Sequence, residues 1–423
     1  MTMDAWVAAA IFVGAYVLIA IERWDRTLVA VIAGLLVVLL GILDQHTAFA
    51  AIDLNVIFLL AGMMVIASIL ARTGFFDWLA IRSVILSGGR PIRLLLILSV
   101  VTAVLSAFLD NVTTVVLLTP VTLSVAHRLG VSPVPYLISG ILASNIGGTA
   151  TLIGDPPNIL IGSASGLGFA EFLFNLGPVT VVVFAAFAVI AYASFRGHLQ
   201  VPSERREAAL ERTEESAIKD RPLLVKSLVV AGATIGGFLV HSLIGVEPAT
   251  IALLGAMVLI LIAGLDAHEM LREVEWSTLF FFVGLFMLVE AVVEVGIVGG
   301  IAEGLAEATG GHSTTTTIAL LWFSAIASAI IDNIPYTATA IPVVEHLIET
   351  GLPAEPLWWA LALGACLGGN LTIVGASANV VVANVADRGG YPIRFFEFLR
   401  YGAVVVVASL LISTGYLWVR YLA

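Results

Sequence analysis

An all-α polytopic membrane protein, built from two inverted-topology repeats of about five transmembrane helices and one re-entrant hairpin each, is the architecture to which these residues point. Three observations carry that expectation. Hydrophobic residues make up 60% of the 423 and charged ones only 12%, too few charges for the surface of a soluble chain of this length. Apolar runs of membrane-spanning length recur from end to end. Residues 222 positions apart keep matching between the two halves, the mark of an internal duplication.

The apolar runs place spans near 5–21, 27–43, 55–71, 136–162 and 176–195 in the first half. Those of the second half lie near 227–244, 249–264, 277–293, 357–386 and 401–419. Regions 94–126 and 317–346 each hold two shorter segments interrupted by Asp-Asn, and short arms with polar tips argue for hairpins that enter the membrane and return. The chain thus divides into a first repeat over 1–195, a connector over 196–226 and a second repeat over 227–423. The connector is the only long polar stretch, with one surface helix expected over 205–215. The first apolar run has no basic residue before it and no small-residue cleavage pattern after it, so it reads as a retained helix rather than a signal peptide. A single cysteine, Cys366, excludes an internal disulfide and a clustered-thiol metal site, and no cofactor is expected.

The duplication is detailed. Leu43-Asp44 matches Leu265-Asp266, Gly62 matches Gly284, Gly74 matches Gly296, Asp110-Asn111 matches Asp332-Asn333, and Pro120 matches Pro342. After a one-residue slip, Gly147-Gly148 meets Gly368-Gly369, Thr151 meets Thr372, Gly154 meets Gly375 and Asn158 meets Asn379. With hairpins that do not cross, each half makes an odd number of crossings, so the second copy sits upside down. Of 19 basic residues only Arg420 then falls on one side, and the crowded side is cytoplasmic by the positive-inside rule. The connector is therefore cytoplasmic and both termini periplasmic, in a bacterial-type inner membrane. Full crossings of both regions would leave the same loops on the same sides, so charge alone does not distinguish the two. Trp6, Trp24, Trp276, Trp358, Trp359 and Trp418 read as interfacial belt anchors. The stretches after Gly74 and Gly296 read as interfacial amphipathic helices.

Inverted repeats with broken helices meeting near the midplane are the layout of secondary transporters, because unwound backbone there offers ligands that a continuous helix uses internally. "ASNIGGTATLIGDPPNIL" and its copy "GACLGGNLTIVGASANVV" supply the breaks. Asp110 and Asp332 then stand at tips deep in the bilayer, where carboxylates default to ion or proton handling; the bland reading is that each caps the helix that follows it. Asp155 breaks the symmetry, since its copy position is Ala376. It reads either as a proton- or cation-coupling acid or as an Asx turn before Pro156. Asn145 pairs with Cys366 and Thr149 with Asn370, so the half-sites differ.

The segments "AFLDNVTTVVLLTPVT", "NIGGTATLIGDPPNILI", "IDNIPYTATAIPV" and "LGACLGGNLTIVGASANVV" resemble the signature segments of the P-protein permease and arsenite-efflux branch of the ion transporter superfamily. The resemblance spans the whole chain outside the connector. It implies an elevator-type carrier with scaffold and transport domains, and a central site formed by Asp110, Asn111, Asp332, Asn333 and the loops around Gly147 to Asn158 and Gly368 to Asn379. Dicarboxylate carriers of that superfamily have tips resembling Ser-Asn-Thr; aspartate in place of the serine disfavours organic anions by Coulomb repulsion. The best-known arsenite permeases have tips more like Asn-Asp and Asn-Asn, a further departure.

The reading that follows is a proton-coupled antiporter exporting arsenite or antimonite, neutral trihydroxy solutes for which Thr113, Thr114, Thr149, Thr151, Asn158, Asn370, Thr372 and Asn379 offer hydroxyl and amide partners. Asn145, Gly147, Gly148 and Gly369 belong to the same substrate- and ion-binding set, and Cys366 adds one sulfur or simply packs. The alternative is sodium/proton exchange, with Asp110, Asp155 and Asp332 binding sodium and protons in competition. An anion carrier comes third. A channel would share the polar centre without alternating access, and only flux stoichiometry separates it. An enzyme is disfavoured, since "HEMLR" at His268 lacks the second histidine of a zinc-protease helix. No P-loop motif appears, which leaves a partner ATPase and a homodimer as open partners beside the small inorganic solute and the lipid bilayer; no nucleic acid is expected.

Overall fold

The computed structural model describes residues 2–21, 23–197, 199, 201 and 217–423. The surface helix expected over 205–215 lies outside them. The first half folds as α1 (Met3–Ile21), α2 (Arg26–Leu39), α3 (Gln45–Ala50), α4 (Leu54–Arg72), α5 (Phe75–Ser87), α6 (Pro91–Phe108), α7 (Asn111–Leu129), α8 (Val134–Gly148), α9 (Pro156–Ser165) and α10 (Phe169–Phe195). The second folds as α11 (Arg221–Ile244), α12 (Pro248–Ala263), α13 (Ala267–Arg272), α14 (Trp276–Glu294), α15 (Ile297–Ala308), α16 (Ser313–Ile331), α17 (Asn333–Glu349), α18 (Ala354–Gly368), α19 (Ser377–Arg388) and α20 (Phe395–Leu417). From α2 to α7 every helix starts 222 residues before its counterpart among α12 to α17. No strand occurs among the described residues. Among the described residues nine helical stretches are long and apolar enough to cross a membrane, which makes this a multi-pass membrane protein.

Aspartates set many of the helix starts. Asp25, Asp44, Asp53, Asp110, Asp220, Asp266 and Asp332 each accept a backbone N–H of the first turn of α2, α3, α4, α7, α11, α13 and α17, satisfying donors that no carbonyl reaches. The expected spans 136–162 and 357–386 are each broken, at 149–155 between α8 and α9 and at 369–376 between α18 and α19, the latter holding one 3₁₀ turn at Ile373–Gly375. Span 27–43 is shorter than expected, because α2 stops at Leu39 and Gly41 turns the chain at φ 71°.

The hairpin arms are longer than the apolar runs suggest: 18 and 19 residues in α6 and α7, 19 and 17 in α16 and α17. Helix continues through polar residues at the outer ends, from Pro91 and Arg93 in α6, His127 and Arg128 in α7, and four consecutive threonines in α16. Arm length therefore does not separate a re-entrant hairpin from two crossings.

The two copies interlock. Helix α2 packs along α14, the copy of α4, and α12 packs along α4. In the same crossed manner α7 packs on α19 and α17 on α9. Glycine makes the first contact possible on both sides: a Cβ at Gly284 would lie 2.4 Å from the Ala30 carbonyl carbon, and one at Gly62 would lie 2.6 Å from that of Ala252. Trp6, Trp24, Trp276 and Trp418 are exposed, as belt anchors require, but Trp358 and Trp359 are 5% and 0% exposed. They are core residues. Helix α18, which carries them, is surrounded by α8, α9, α16, α17 and α20, and the Trp359 ring meets Phe172 edge-on at 5.1 Å.

Helix α1 packs into the fold, the Tyr16 hydroxyl donating to the Pro335 carbonyl at 2.8 Å.

Candidate functional site

The site begins with the two helix breaks. Ser106 Oγ donates to the Ser144 carbonyl at 2.8 Å, and its copy Ser328 donates to Ala365 at 2.7 Å. Thr151 Oγ1 donates to the Ala107 carbonyl, and Thr372 Oγ1 to Ala329 at 2.5 Å. Asn158 Nδ2 reaches the carbonyls of Thr151 at 2.8 Å and Thr149 at 3.2 Å, while Asn379 Nδ2 reaches those of Gly369 at 2.7 Å and Thr372 at 2.9 Å. Asn158 and Asn379 thus satisfy carbonyls released by the breaks, which in a bilayer have no water to turn to, while the serines and threonines tie each break and the helix before it to its own hairpin.

Backbone crowding explains the glycines. A Cβ at Gly147 would sit 2.1 Å from the Ala103 carbonyl oxygen and one at Gly368 would sit 2.4 Å from that of Ala325. Gly148 faces Gly154 at 2.5 Å and Gly369 faces Gly375 at 2.9 Å on the same measure. Each tip hairpin is thereby pressed against its own break.

Between the breaks lies a buried network. Asn111 Nδ2 donates to Asp155 Oδ1 at 3.1 Å and stands 3.2 Å from Asn145 Oδ1. Asn333 Nδ2, from the other copy, donates to the same Asp155 Oδ1 at 3.1 Å. Asn145 Nδ2 donates to Asn370 Oδ1 at 3.0 Å and Asn379 Oδ1 at 2.9 Å. Cys366 Sγ approaches Asn158 Oδ1 at 3.4 Å. Asp155 heads α9 yet caps nothing, so the Asx-turn reading gives way to a carboxylate aimed at the two tips. Asn111 Oδ1, Thr114 Oγ1 and Asn370 Nδ2 are buried without a partner. Among the described residues Asn111 and Asn370 are the two side-chain amides so left.

Asp110 and Asp332 stand beside this network, outside its hydrogen bonds. Both cap, as the bland reading expects: Asp110 accepts from the Thr113 N–H at 2.9 Å and Asp332 from the Ile334 N–H at 3.0 Å. Otherwise they differ. Asp332 also accepts from Ser377 Oγ at 2.7 Å and lies 3.7 Å from Arg26 Nη1, and Arg26 Nη1 donates to Ser377 Oγ. Asp332 has φ 91°, against −63° at Asp110, and among the described residues it is the non-glycine with positive φ. Such a conformation costs of order 1–3 kcal/mol and survives only where neighbours impose it.

Asn111, Asn145, Asp155, Asn333, Asn370 and Asn379, expected at one centre from the sequence, are joined there by hydrogen bonds. Thr149, Thr151, Thr372, Gly147, Gly148 and Gly369 shape the breaks, and Thr113 takes part through its backbone. Arg26 and Ser377 were not singled out. The signal for Arg26 was an asymmetry like that of Asp155: its repeat position is Pro248. An arginine in the first turn of a helix also opposes the helix dipole.

Two uncharacterized transporters of Mycobacterium tuberculosis are each 45% identical to this chain, over 98% of it and 98% of their own length. A 46 kDa membrane protein of Mycobacterium leprae is 44% identical, over 98% and 99%. The human P protein is 36% identical over 98% of this chain, which spans 60% of that relative. The crystal structure of the Alcanivorax borkumensis YdaH transporter, described as having an unusual topology, shares the fold with a TM-score of 0.60 at 15% identity, over 99% of this chain and 98% of its own. A family model described as a citrate transporter matches residues 16–364. With a buried polar centre at two helix breaks and a family match over most of its length, the chain belongs to the CitMHS citrate transporter family of membrane transporters.

Proposed function

We propose that this protein is a secondary active transporter of a bacterial-type inner membrane, a proton-coupled antiporter whose first-choice passenger is arsenite or antimonite. The observation that carries the reading is the convergence of Asn111 and Asn333 on Asp155, beside the unpartnered acceptor Asn111 Oδ1 and donor Asn370 Nδ2. A buried polar atom without a partner is costly by about 1–3 kcal/mol, so a solute that supplies one binds well. A free donor and a free acceptor in one buried network suit a neutral hydroxylated solute better than a bare cation, which needs acceptors only. Arsenite is such a solute near neutral pH. Asp155 is then the acid that exchanges a proton, with sodium as the alternative coupling or transported ion.

The copies are taken as inverted repeats with re-entrant hairpins α6–α7 and α16–α17 entering from opposite faces, the connector 196–226 cytoplasmic and both termini periplasmic. Hairpins and broken helices move together as an elevator against a scaffold built on the α2–α14 and α4–α12 pairs. The crossed packing of the two copies and the meeting of both tips at the breaks support this layout.

The family description brings citrate as a second reading, and Arg26 beside the tip favours it, as a basic group an anion could use. Asp110, Asp155 and Asp332 oppose it by repulsion. Purified protein in liposomes under an imposed pH gradient separates the readings. Uptake of arsenite with proton exchange supports the first, robust sodium exchange without arsenite uptake the alternative, and citrate uptake the second.

A further inference from the structure

We propose that Arg26 is an internal counter-cation for the hairpin-tip carboxylate Asp332, a latch on one side of the molecule that must open whenever the hairpin shifts past α2. The inference deepens the transport reading and rests on it for its place in a cycle.

Arg26 is held from several directions. Its guanidinium lies over the Phe281 ring of α14, 5.3 Å from the centroid, and donates to Ser377 Oγ at the start of α19. The helix that bears it is pinned to α14 through Thr27 Oγ1, which donates to the Ser277 carbonyl at 2.9 Å. Across the contact, Asp332 adopts its unfavourable φ and accepts from Ser377 and Ile334. Two locally unfavourable choices, an arginine at a helix start and an aspartate at positive φ, thus meet in one ion pair. Local rules broken together in this way mark function more than folding.

The repeat shows what the latch does. At the cytoplasmic end of the expected topology, the α1–α2 turn and the α16–α17 tip enclose a cavity of about 270 Å³ lined by Trp24, Arg26, Asp332, Ser377 and Val381 among others. The counterpart turn, Gly245 to Pro248, lines a cavity of about 530 Å³ at the other end, and neither Asp110 nor Asn111 lines it. Pro248 stands where Arg26 would be, and Glu247 is bonded instead to Asn55 at 3.0 Å. One tip is clasped by its turn and the other is not. Among the described residues Asp332 has an ion pair and Asp110 has none, so a pseudo-symmetric protein is caught in a one-sided state, with an ion pair to hold it there. For the clasped tip to leave, Asp332 must trade Arg26 for another monovalent cation or a proton, so movement without a replacement cation is disfavoured.

A cysteine reporter tests this without any solute, because the native Cys366 is buried and its labelling in the parent gives the background. In a Val381→Cys background reconstituted in liposomes, labelling by a membrane-impermeant maleimide is measured from each face. Arg26→Gln and Asp332→Asn should each change the labelling rate about five-fold or more as the two-state balance shifts. The double variant should do no more than either alone, and Arg26→Lys should stay near the parent. The charge swap Arg26→Asp with Asp332→Arg should restore parental labelling and shows that the variants fold. Unchanged labelling in both single variants, or changes that add in the double variant, overturns the latch. Solute flux decides the transport reading separately.

Discussion

Asn333 Nδ2 lies 3.1 Å from Asp155 Oδ1, joining a tip of the second copy to the break of the first across 178 positions. Since Asn111 makes the same contact from its own copy, the carboxylate is the point where both tips report. Asp155→Asn replaces an acceptor-only group by an amide that faces two donors with one oxygen and brings two donors of its own. Exchange driven by a pH gradient should fall at least about ten-fold, with the protein still folded, because the ionisable group is gone. Wild-type exchange in this variant, measured in liposomes, would reduce Asp155 to a structural acceptor.

The glycine contacts at the helix crossings predict a matched pair of stability losses. Gly284→Ala and Gly62→Ala each push a methyl into the backbone of the opposing helix, near Ala30 and Ala252. Helical backbone yields little, so each should lower stability by about 1–3 kcal/mol, the usual range for overpacking. Gly14→Ala and Gly236→Ala, where nothing lies within 4 Å, should be neutral or raise it by up to about 1 kcal/mol through helix propensity. Melting in detergent checks the ranking.

Much of this was legible in the residues because the duplication kept polar and small residues in register. The Asp-Asn tips, the paired glycines and the asymmetric Asp155 could be located by offset alone. Two things could not. The depth of Trp358 and Trp359 depends on how many helices surround α18, and an apolar run looks alike whether it faces lipid or protein. The pairing of Arg26 with Asp332 has no copy, since Pro248 stands at the repeat position of Arg26, so the duplication does not point to it; Arg26 otherwise looks like one more basic residue at a membrane edge.

Asn158 and Asn379 should prove to be holders of the breaks. Their amide nitrogens face carbonyls only, so Asn379→Asp turns donors into a carboxylate opposite the Gly369 and Thr372 carbonyls. Loss of those bonds plus desolvation of the new charge should cost several kcal/mol, of order 3 or more, and depress the yield of folded protein. Asn158→Asp should behave alike. Fluorescence-detected size-exclusion chromatography reads the effect, and a well-folded Asn379→Asp protein with altered selectivity would instead make the residue a ligand.

Thr114 separates binding from folding. Its hydroxyl is buried without a partner, one helical turn beyond Asn111 and on the same side of α7. Thr114→Val keeps the shape and removes a group that bonds to nothing in the protein, so stability should move by less than about 1 kcal/mol or rise. If the hydroxyl meets the passenger, apparent affinity should fall about five- to thirty-fold, the loss of one hydrogen bond to a solute worth roughly 1–2 kcal/mol. Ser227→Ala is the control, since its unpartnered hydroxyl sits on α11, which packs on α4, α10 and α12, and should alter neither quantity. A Thr114→Val protein that melts early with unchanged affinity would place the hydroxyl in the fold rather than at the solute.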